Sequence, residues 1–194
     1  EKANRKAMHA LDILWNDGHR ICGIGGSDTH NQPDVLYEGA DKPCVYGDPS
    51  TFVYCKTGLS GADLLEGVRK CRVIITRFIS LDVSIQGTRN YLPGNEIFDT
   101  SFDIRVIIKP ACADKSAASP YTINLVEDGR IAGSQQVTLH QSAVFPLEWR
   151  NGIYHWARIE VFDNKGLFCG FMNPVWQSRR TPCLKTWGDL LNRL

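Results

Sequence analysis

The sequence lacks any charge imbalance and any long apolar run. Lys and Arg number 22 and Asp and Glu number 21, which gives a net charge of +1 at pH 7. Such a chain has no electrostatic reason to bind nucleic acid or an anionic membrane. No apolar run approaches the roughly 18 residues of a membrane span. Neither partner class is therefore expected, and the oligomeric state stays open.

The chain also lacks cysteine motifs. Its seven cysteines are odd in number, none forms C-x-x-C, and none pairs with His at zinc-finger spacing. Reduced thiols that behave as small hydrophobic groups are the simplest interpretation. This points to a reducing, cytoplasmic compartment without fixing it.

An initiator methionine is missing too. Residues 1–14 already have the pattern of an amphipathic helix interior, with Met8, Leu11 and Trp15 on one face. We therefore expect a piece of a longer protein, whose leader sequences cannot be judged.

The first 80 residues alternate helix and strand. Apolar strands are predicted at 20–24, 51–56 and 72–76, with a helix at 64–71 that is capped by Ser60. Near-continuous apolar strands separated by helices indicate a parallel sheet that is covered by helices. Residues 1–80 are therefore predicted to be an α/β unit.

From residue 81 the hydrophobic period changes to two. Short strands are predicted at 81–86, 102–109, 121–127, 135–139, 154–162 and 167–172, with a short helix in the tail at 184–194. Turn signals such as Asp128-Gly129 separate them. Residues 81–194 are therefore predicted to form a small antiparallel β-sandwich, with the domain boundary near residue 80.

One segment could carry chemistry, the stretch "ICGIGGSDTHN" at 21–31. Asp28 and His30 follow an apolar strand and two glycines, and residues two apart in an extended segment point to the same side. They are candidate metal ligands. Asp17 and His19 have the same spacing, but they follow a helix, where Asn-Asp-Gly is ordinary C-cap chemistry. Two ligands are too few for a catalytic metal, so the others are expected upstream of Glu1.

The motif "GIGGSDTHN" resembles the closing metal-binding motif of the PHP (polymerase and histidinol phosphatase) superfamily. The chain is similar to the C-terminal part of its CehA/McbA-like branch. Trp15-Asn16-Asp17-Gly18, Gly47–Val53, Leu125–Gly129 and Asn173-Pro174 stand where that branch has matching patterns.

This resemblance implies the C-terminal portion of a distorted (β/α)7 barrel, followed by the sandwich. Asp28 and His30 would be the last two ligands of a site with two or three divalent ions. These ions would be Zn, Mn or Fe. A metal-activated water would hydrolyse a small-molecule ester or phosphoester. With its other ligands upstream, this fragment is expected to be inactive and to hold no catalytic residue beyond those ligands.

Other readings stay open. Arg72 and Arg77 flank a strand and are candidates for binding an anionic substrate group, although solvated or paired arginines are common. Trp149, Trp156 and Trp176 could form a carbohydrate-stacking platform or part of the core. The competing function is a non-catalytic β-sandwich for interaction or carbohydrate binding, attached to a degenerate barrel.

Overall fold

The computed structural model describes residues 2–27, 30, 35, 46–56, 58–111 and 120–194, with side chains from residue 4 onward. In these ranges the helices are Lys2–Asp17 (α1), Gly61–Arg69 (α2) and Trp187–Leu191 (α3). The strands are Ser50–Val53 (β1), Val73–Thr76 (β2), Ile79–Gln86 (β3), Asn90–Tyr91 (β4), Ser101–Pro110 (β5), Tyr121–Glu127 (β6), Arg130–Val137 (β7), Ser142–Glu148 (β8), His155–Phe162 (β9) and Phe168–Gln177 (β10). None of these helices is long and apolar enough to cross a membrane.

The strands form two sheets. The first sheet has the order β1-β2-β10-β9-β6-β7, and the second has the order β4-β3-β5-β8. Every pairing between these strands is antiparallel. The two sheets pack face to face as a β-sandwich, as the period-two pattern after residue 81 predicted.

The core between the sheets follows from alternation along the strands. In β5, Phe102, Ile104, Val106 and Ile108 are buried, while their neighbours on the opposite face are mostly exposed. A strand with one buried face requires this period of two. β8 has the same alternation, but the sequence did not predict it as a strand, because Pro146 interrupts an otherwise apolar run.

The other face of the first sheet, which we call its outer face, is covered by α1 and by residues 20–25. A second apolar cluster fills this layer, in which Trp15 packs 5.3 Å from Trp156 and 5.9 Å from Phe171, measured between ring centroids. The central strands of the first sheet are therefore buried on both faces, and all ten residues of β10 are buried.

The barrel prediction is wrong for the described chain. β1 and β2 flank α2 as expected, but they pair antiparallel with each other, and β2 pairs antiparallel with β10. The continuous apolar strands arise because a second sheet covers one face and α1 the other. Burial on both faces produces the same pattern as a parallel sheet. The α/β part of the fold class, and with it the end of a PHP barrel, is replaced by strands of the sandwich.

The predicted strand at 20–24 is also wrong, because this segment lies across the outer face rather than within a sheet. The buried side chain of Asn173 accepts a hydrogen bond from Gly23 N at 2.7 Å and donates to Gly23 O at 2.8 Å. Thr51 Oγ1 likewise accepts from Gly25 N and donates to Gly25 O. Side-chain anchors therefore replace the ladder of a strand.

Both predicted helix ends are confirmed. Ser60 is the N-cap of α2, and its side chain accepts a hydrogen bond from Asp63 N. At the end of α1, Gly18 has φ +101°, Gly18 N donates to Trp15 O, and His19 N donates to Leu14 O. These two bonds form a Schellman C-cap, for which glycine is the preferred residue.

The division of the chain near residue 80 stays a prediction. The structure adds one relevant fact: β2, before that boundary, is hydrogen-bonded to β10, near the end of the chain.

Candidate functional site

Only one of the two predicted metal ligands lies among the described residues. Asp28 lies outside the described residues, and His30 is exposed. Their assignment therefore stays a prediction, as do the divalent ions inferred from it. Asp17 and His19, the matching triplet, hold the C-terminal tail: Asp17 Oδ2 accepts from Cys183 N and Leu184 N, and His19 Nε2 lies 3.0 Å from Leu184 O.

Arg72 and Arg77 stand at opposite ends of β2, so the structure does not bring them together. Arg77 forms a bidentate ion pair with Asp48, at 2.8 Å for both bonds, which is the strong fork geometry of guanidinium and carboxylate. The Nε atom of Arg72 is buried and has no hydrogen-bond partner among the described residues. Their role in binding a substrate anion stays a prediction.

The three tryptophans considered for carbohydrate stacking are core residues. Trp149, Trp156 and Trp176 are exposed by 3%, 0% and 1%. A sugar platform needs an open ring face, so this set does not provide one.

The described surface instead has an open groove where the first sheet extends past the second. β3 lies beside β2 and β10, and β1 is the next strand outward. Phe52 is directly opposite Ile74, whose side chain belongs to the core between the sheets. Phe52 therefore points to the inner face, yet it is 51% exposed. The second sheet does not fully cover this margin.

The described residues that line the groove carry no formal charge. Its volume is about 250 Å³, and it is lined by Phe52, Val53, Tyr54, Ile74, Thr76, Ser80 and Leu81. Burial raises the pKa of Tyr54, and the negative charge of Asp82 raises it further. Tyr54 is therefore neutral at ordinary pH. The lining suits an apolar or hydroxyl-bearing group rather than an ion.

One wall of the groove is an edge of β1 that is free of strand pairing among the described residues. Tyr54 N donates to Arg72 O at 2.9 Å, so the backbone N–H of Tyr54 points toward β2. Successive residues of a strand direct their backbone groups to opposite sides. Thr51 and Val53 accordingly direct their N–H and C=O groups away from β2. No strand among the described residues pairs with this side. Such an edge is a template for another strand.

Sequence reasoning missed this groove. It treated 51–56 as an internal barrel strand, for which Phe52 would be ordinary core. Among local signals, the four-residue length of β1 is compatible with an edge position. Only the unequal widths of the two sheets reveal the exposure of Phe52.

Comparisons with known proteins assign no family. No protein-family profile matches the chain, and no curated protein matches it. Among solved structures, a DUF3823 family protein from Bacteroides ovatus ATCC 8483 aligns at 15% identity and a TM-score of 0.31, covering 54% of this chain and 57% of that one. A similarity this low carries no argument about function.

The predicted hydrolase is corrected together with the barrel. Membership of the PHP superfamily, the phosphoesterase activity and its metal-dependent mechanism were all inferred from a resemblance that placed residues 1–80 in a barrel. In the described residues those strands belong to an antiparallel sandwich. The non-catalytic β-sandwich, the competing function above, fits this chain better than a metal-dependent hydrolase.

Proposed function

We propose that the chain is a non-catalytic β-sandwich module that binds an extended apolar segment of a partner polypeptide. The segment would pair with the free edge of β1 and place side chains in the adjoining groove. The observation that carries the proposal is the half-exposed Phe52 on an inner face, beside that edge.

Strand addition explains why edge and groove occur together. In this mode, main-chain hydrogen bonds supply affinity, and pockets for alternate side chains supply specificity. Thr51 and Val53 direct backbone groups outward, and the groove accepts the side chains that face inward. An uncharged lining favours an apolar segment, since a charged side chain would lose hydration without gaining a partner.

A small-molecule phosphoester partner, expected from the sequence, is less consistent with this groove. Phosphate is usually held by Arg, Lys or backbone N–H groups at a helix start. Among the residues that the structure describes, the groove lining contains no basic side chain. We therefore favour a polypeptide ligand.

The test uses random dodecapeptides displayed on phage and selected on the intact chain. Synthetic versions of the selected peptides are then titrated against the wild type, Phe52→Lys and Ile131→Lys. Ile131 is a matched control because it is 62% exposed on β7, the opposite edge of the same sheet. We expect Phe52→Lys to weaken binding by about tenfold or more, as for a central apolar anchor, and Ile131→Lys to leave it unchanged.

Two outcomes contradict the proposal. One is that selected peptides bind Phe52→Lys as tightly as the wild type. The other comes from sedimentation velocity: if the wild type is a dimer that Phe52→Lys separates, then the groove holds a second copy of the chain. Equal melting temperatures of the two variants ensure that folding is not the cause.

A further inference from the structure

A polar cluster lies at one end of the sandwich interior, away from β1. Glu127 ends β6, Asp128 opens the β6–β7 turn, and His155 begins β9. One ligand atom from each side chain lies within 4.8 Å of the other two. All three side chains are partly buried, so ions in solution can reach them.

The fold brings these residues together from distant positions. β6 and β9 are neighbours, and Glu127 is paired with Ala157, two residues after His155. Residues two apart on one strand share a face, so Glu127 and His155 are diagonal neighbours on the inner face. Asp128 is fixed beside them, because its Oδ1 accepts from Trp156 N at 3.0 Å and its N donates to Trp156 O.

Surrounding groups hold the cluster in place. Nδ1 of His155 lies 2.7 Å from Asp128 Oδ2. The indole of Trp149 donates a hydrogen bond to Glu127 Oε1, and its ring stacks on His155 at 5.6 Å between centroids, with an interplanar angle of 19°. One buried tryptophan therefore orients two of the three side chains. Metal ligands are commonly oriented by outer groups in this way.

A second observation lies on the next strand. Gln177 of β10 is directly opposite His155 and is only 3% exposed. Its Nε2 donates to Asp99 O, but its Oε1 is buried and has no partner among the described residues. A buried acceptor without a donor costs free energy, which a cation nearby would recover. An amide oxygen is also a known ligand of hard cations.

We propose that Glu127, Asp128 and His155 bind a divalent first-row transition metal ion such as Zn²⁺, with Gln177 Oε1 as an additional oxygen at the site. Imidazole and carboxylate together suit Zn²⁺ and its neighbours, whereas Ca²⁺ and Mg²⁺ prefer oxygen alone. Donor atoms around zinc are separated by about 3.3 Å, so small side-chain rotations would bring this cluster to that spacing. The ion would tie the β6–β7 turn to the start of β9.

The experiment titrates Zn²⁺ into the intact chain by calorimetry and by tryptophan fluorescence, and it records thermal unfolding with and without the ion. We expect one saturable site, a change in tryptophan emission through Trp149, and a rise in melting temperature. Ca²⁺ and Mg²⁺ should bind more weakly. His155→Ala should lower the Zn²⁺ affinity by about tenfold or more.

Glu127→Gln is the second variant, because its amide oxygen can still accept from Trp149 while the charge is lost. It should also weaken Zn²⁺ binding. His9→Ala, an exposed position on α1, is the control and should bind as the wild type does. His30→Ala separates this site from the predicted N-terminal one.

The proposal is overturned if the wild type does not bind Zn²⁺, or if binding survives both His155→Ala and Glu127→Gln. It is also overturned if binding is lost only in His30→Ala, or if it disappears when the free thiols are alkylated. Each of these results places the ion elsewhere or nowhere.

Discussion

The two faces of the first sheet are both buried, yet they are built differently. The inner face meets the second sheet mainly through aliphatic side chains at alternate positions of the strands. The outer face meets α1 and residues 20–25 through aromatic rings and several buried polar contacts. The two faces of this sheet therefore pack against two different apolar clusters. Only the residues of the inner cluster follow a simple period of two along the sequence.

The polar part of the outer face centres on Arg158. Its side chain is 3% exposed, and it pairs with Asp12 on α1 and with Glu160 on the same strand, at 2.8 Å in each case. Glu160 also accepts a hydrogen bond from Asn124 at 3.1 Å. These contacts attach the helix to the sheet at a defined position, whereas apolar contacts alone would permit sliding.

The largest effect is expected on the outer face, from Arg158→Ala. Removal of the guanidinium leaves Asp12 and Glu160 without their cation in a buried site, which costs about 4 kcal/mol of unfolding free energy. Urea denaturation measures the change. The exposed Arg130→Ala is the control and should fall within about 0.5 kcal/mol of the wild type.

A triple variant at the same site tests whether unpaired buried charge causes the loss of stability. The triple variant Asp12→Asn, Arg158→Met and Glu160→Gln removes all three charges, so much of the loss should be recovered. If the triple variant is less stable than Arg158→Ala, then burial of unpaired charge is not the cause.

On the inner face, Ile104→Ala should cost about 3 kcal/mol. Ile104 is fully buried between the sheets, and its truncation leaves a cavity in addition to the lost apolar burial. Equilibrium unfolding at low and high salt should give the same loss, because no charge is involved. Ile131→Ala, on the exposed side of β7, is the comparison. A loss of unfolding free energy below about 1 kcal/mol for Ile104→Ala would mean that the two sheets move together and fill the cavity.

Asn173→Ala should cost about 2 kcal/mol, because the buried N–H and C=O of Gly23 lose their partner. Amide hydrogen exchange at Gly23 should accelerate by more than exchange in β5, which changes only with the global loss of stability. Asn164→Ala, in the exposed β9–β10 turn, is the control. Unchanged exchange at Gly23 would show that other contacts hold residues 20–25.

The smallest effect concerns Tyr154, whose hydroxyl donates to Trp15 O at 2.6 Å. Tyr154→Phe should cost about 1 kcal/mol at neutral pH. Burial raises the pKa of Tyr154 from 10.0 to about 12. A raised pKa gives stability that is complete below pH 10 and is lost as the pH rises toward 12. The difference between wild type and Tyr154→Phe should therefore shrink over that range, as followed by denaturation at each pH; a constant difference would contradict the assignment.

The inner face of the first sheet was easier to predict from the sequence than the outer face. Alternation located β5, β6 and β9 nearly to their ends, because each has one face of uniform character. Ser60 and Gly18 revealed helix ends, since capping depends on residues close in the chain. The segment at 20–24 was predicted as a strand because apolar content alone does not say whether its partners are a strand or the side chains of Asn173 and Thr51.

The candidate sites were not predicted, because the residues that form them lie far apart in the chain. From the sequence, Glu127 and Asp128 were recognisable only as part of a hairpin turn, and nothing connected them with His155, 27 residues after Asp128. The groove at Phe52 could not be predicted, because it depends on which strand lies at the margin of the wider sheet.

The sequence by itself determined the strands of the sandwich core and the helix caps, because hydrophobic period and cap chemistry act over a few residues. Tertiary structure decided the direction of β1 and β2, the placement of residues 20–25, and the grouping of Glu127, Asp128 and His155. The physical reason is that a strand buried on both faces has the same pattern in a parallel or an antiparallel sheet. Only the antiparallel pairing of β2 with β1 and with β10, about 100 residues away, distinguishes the two.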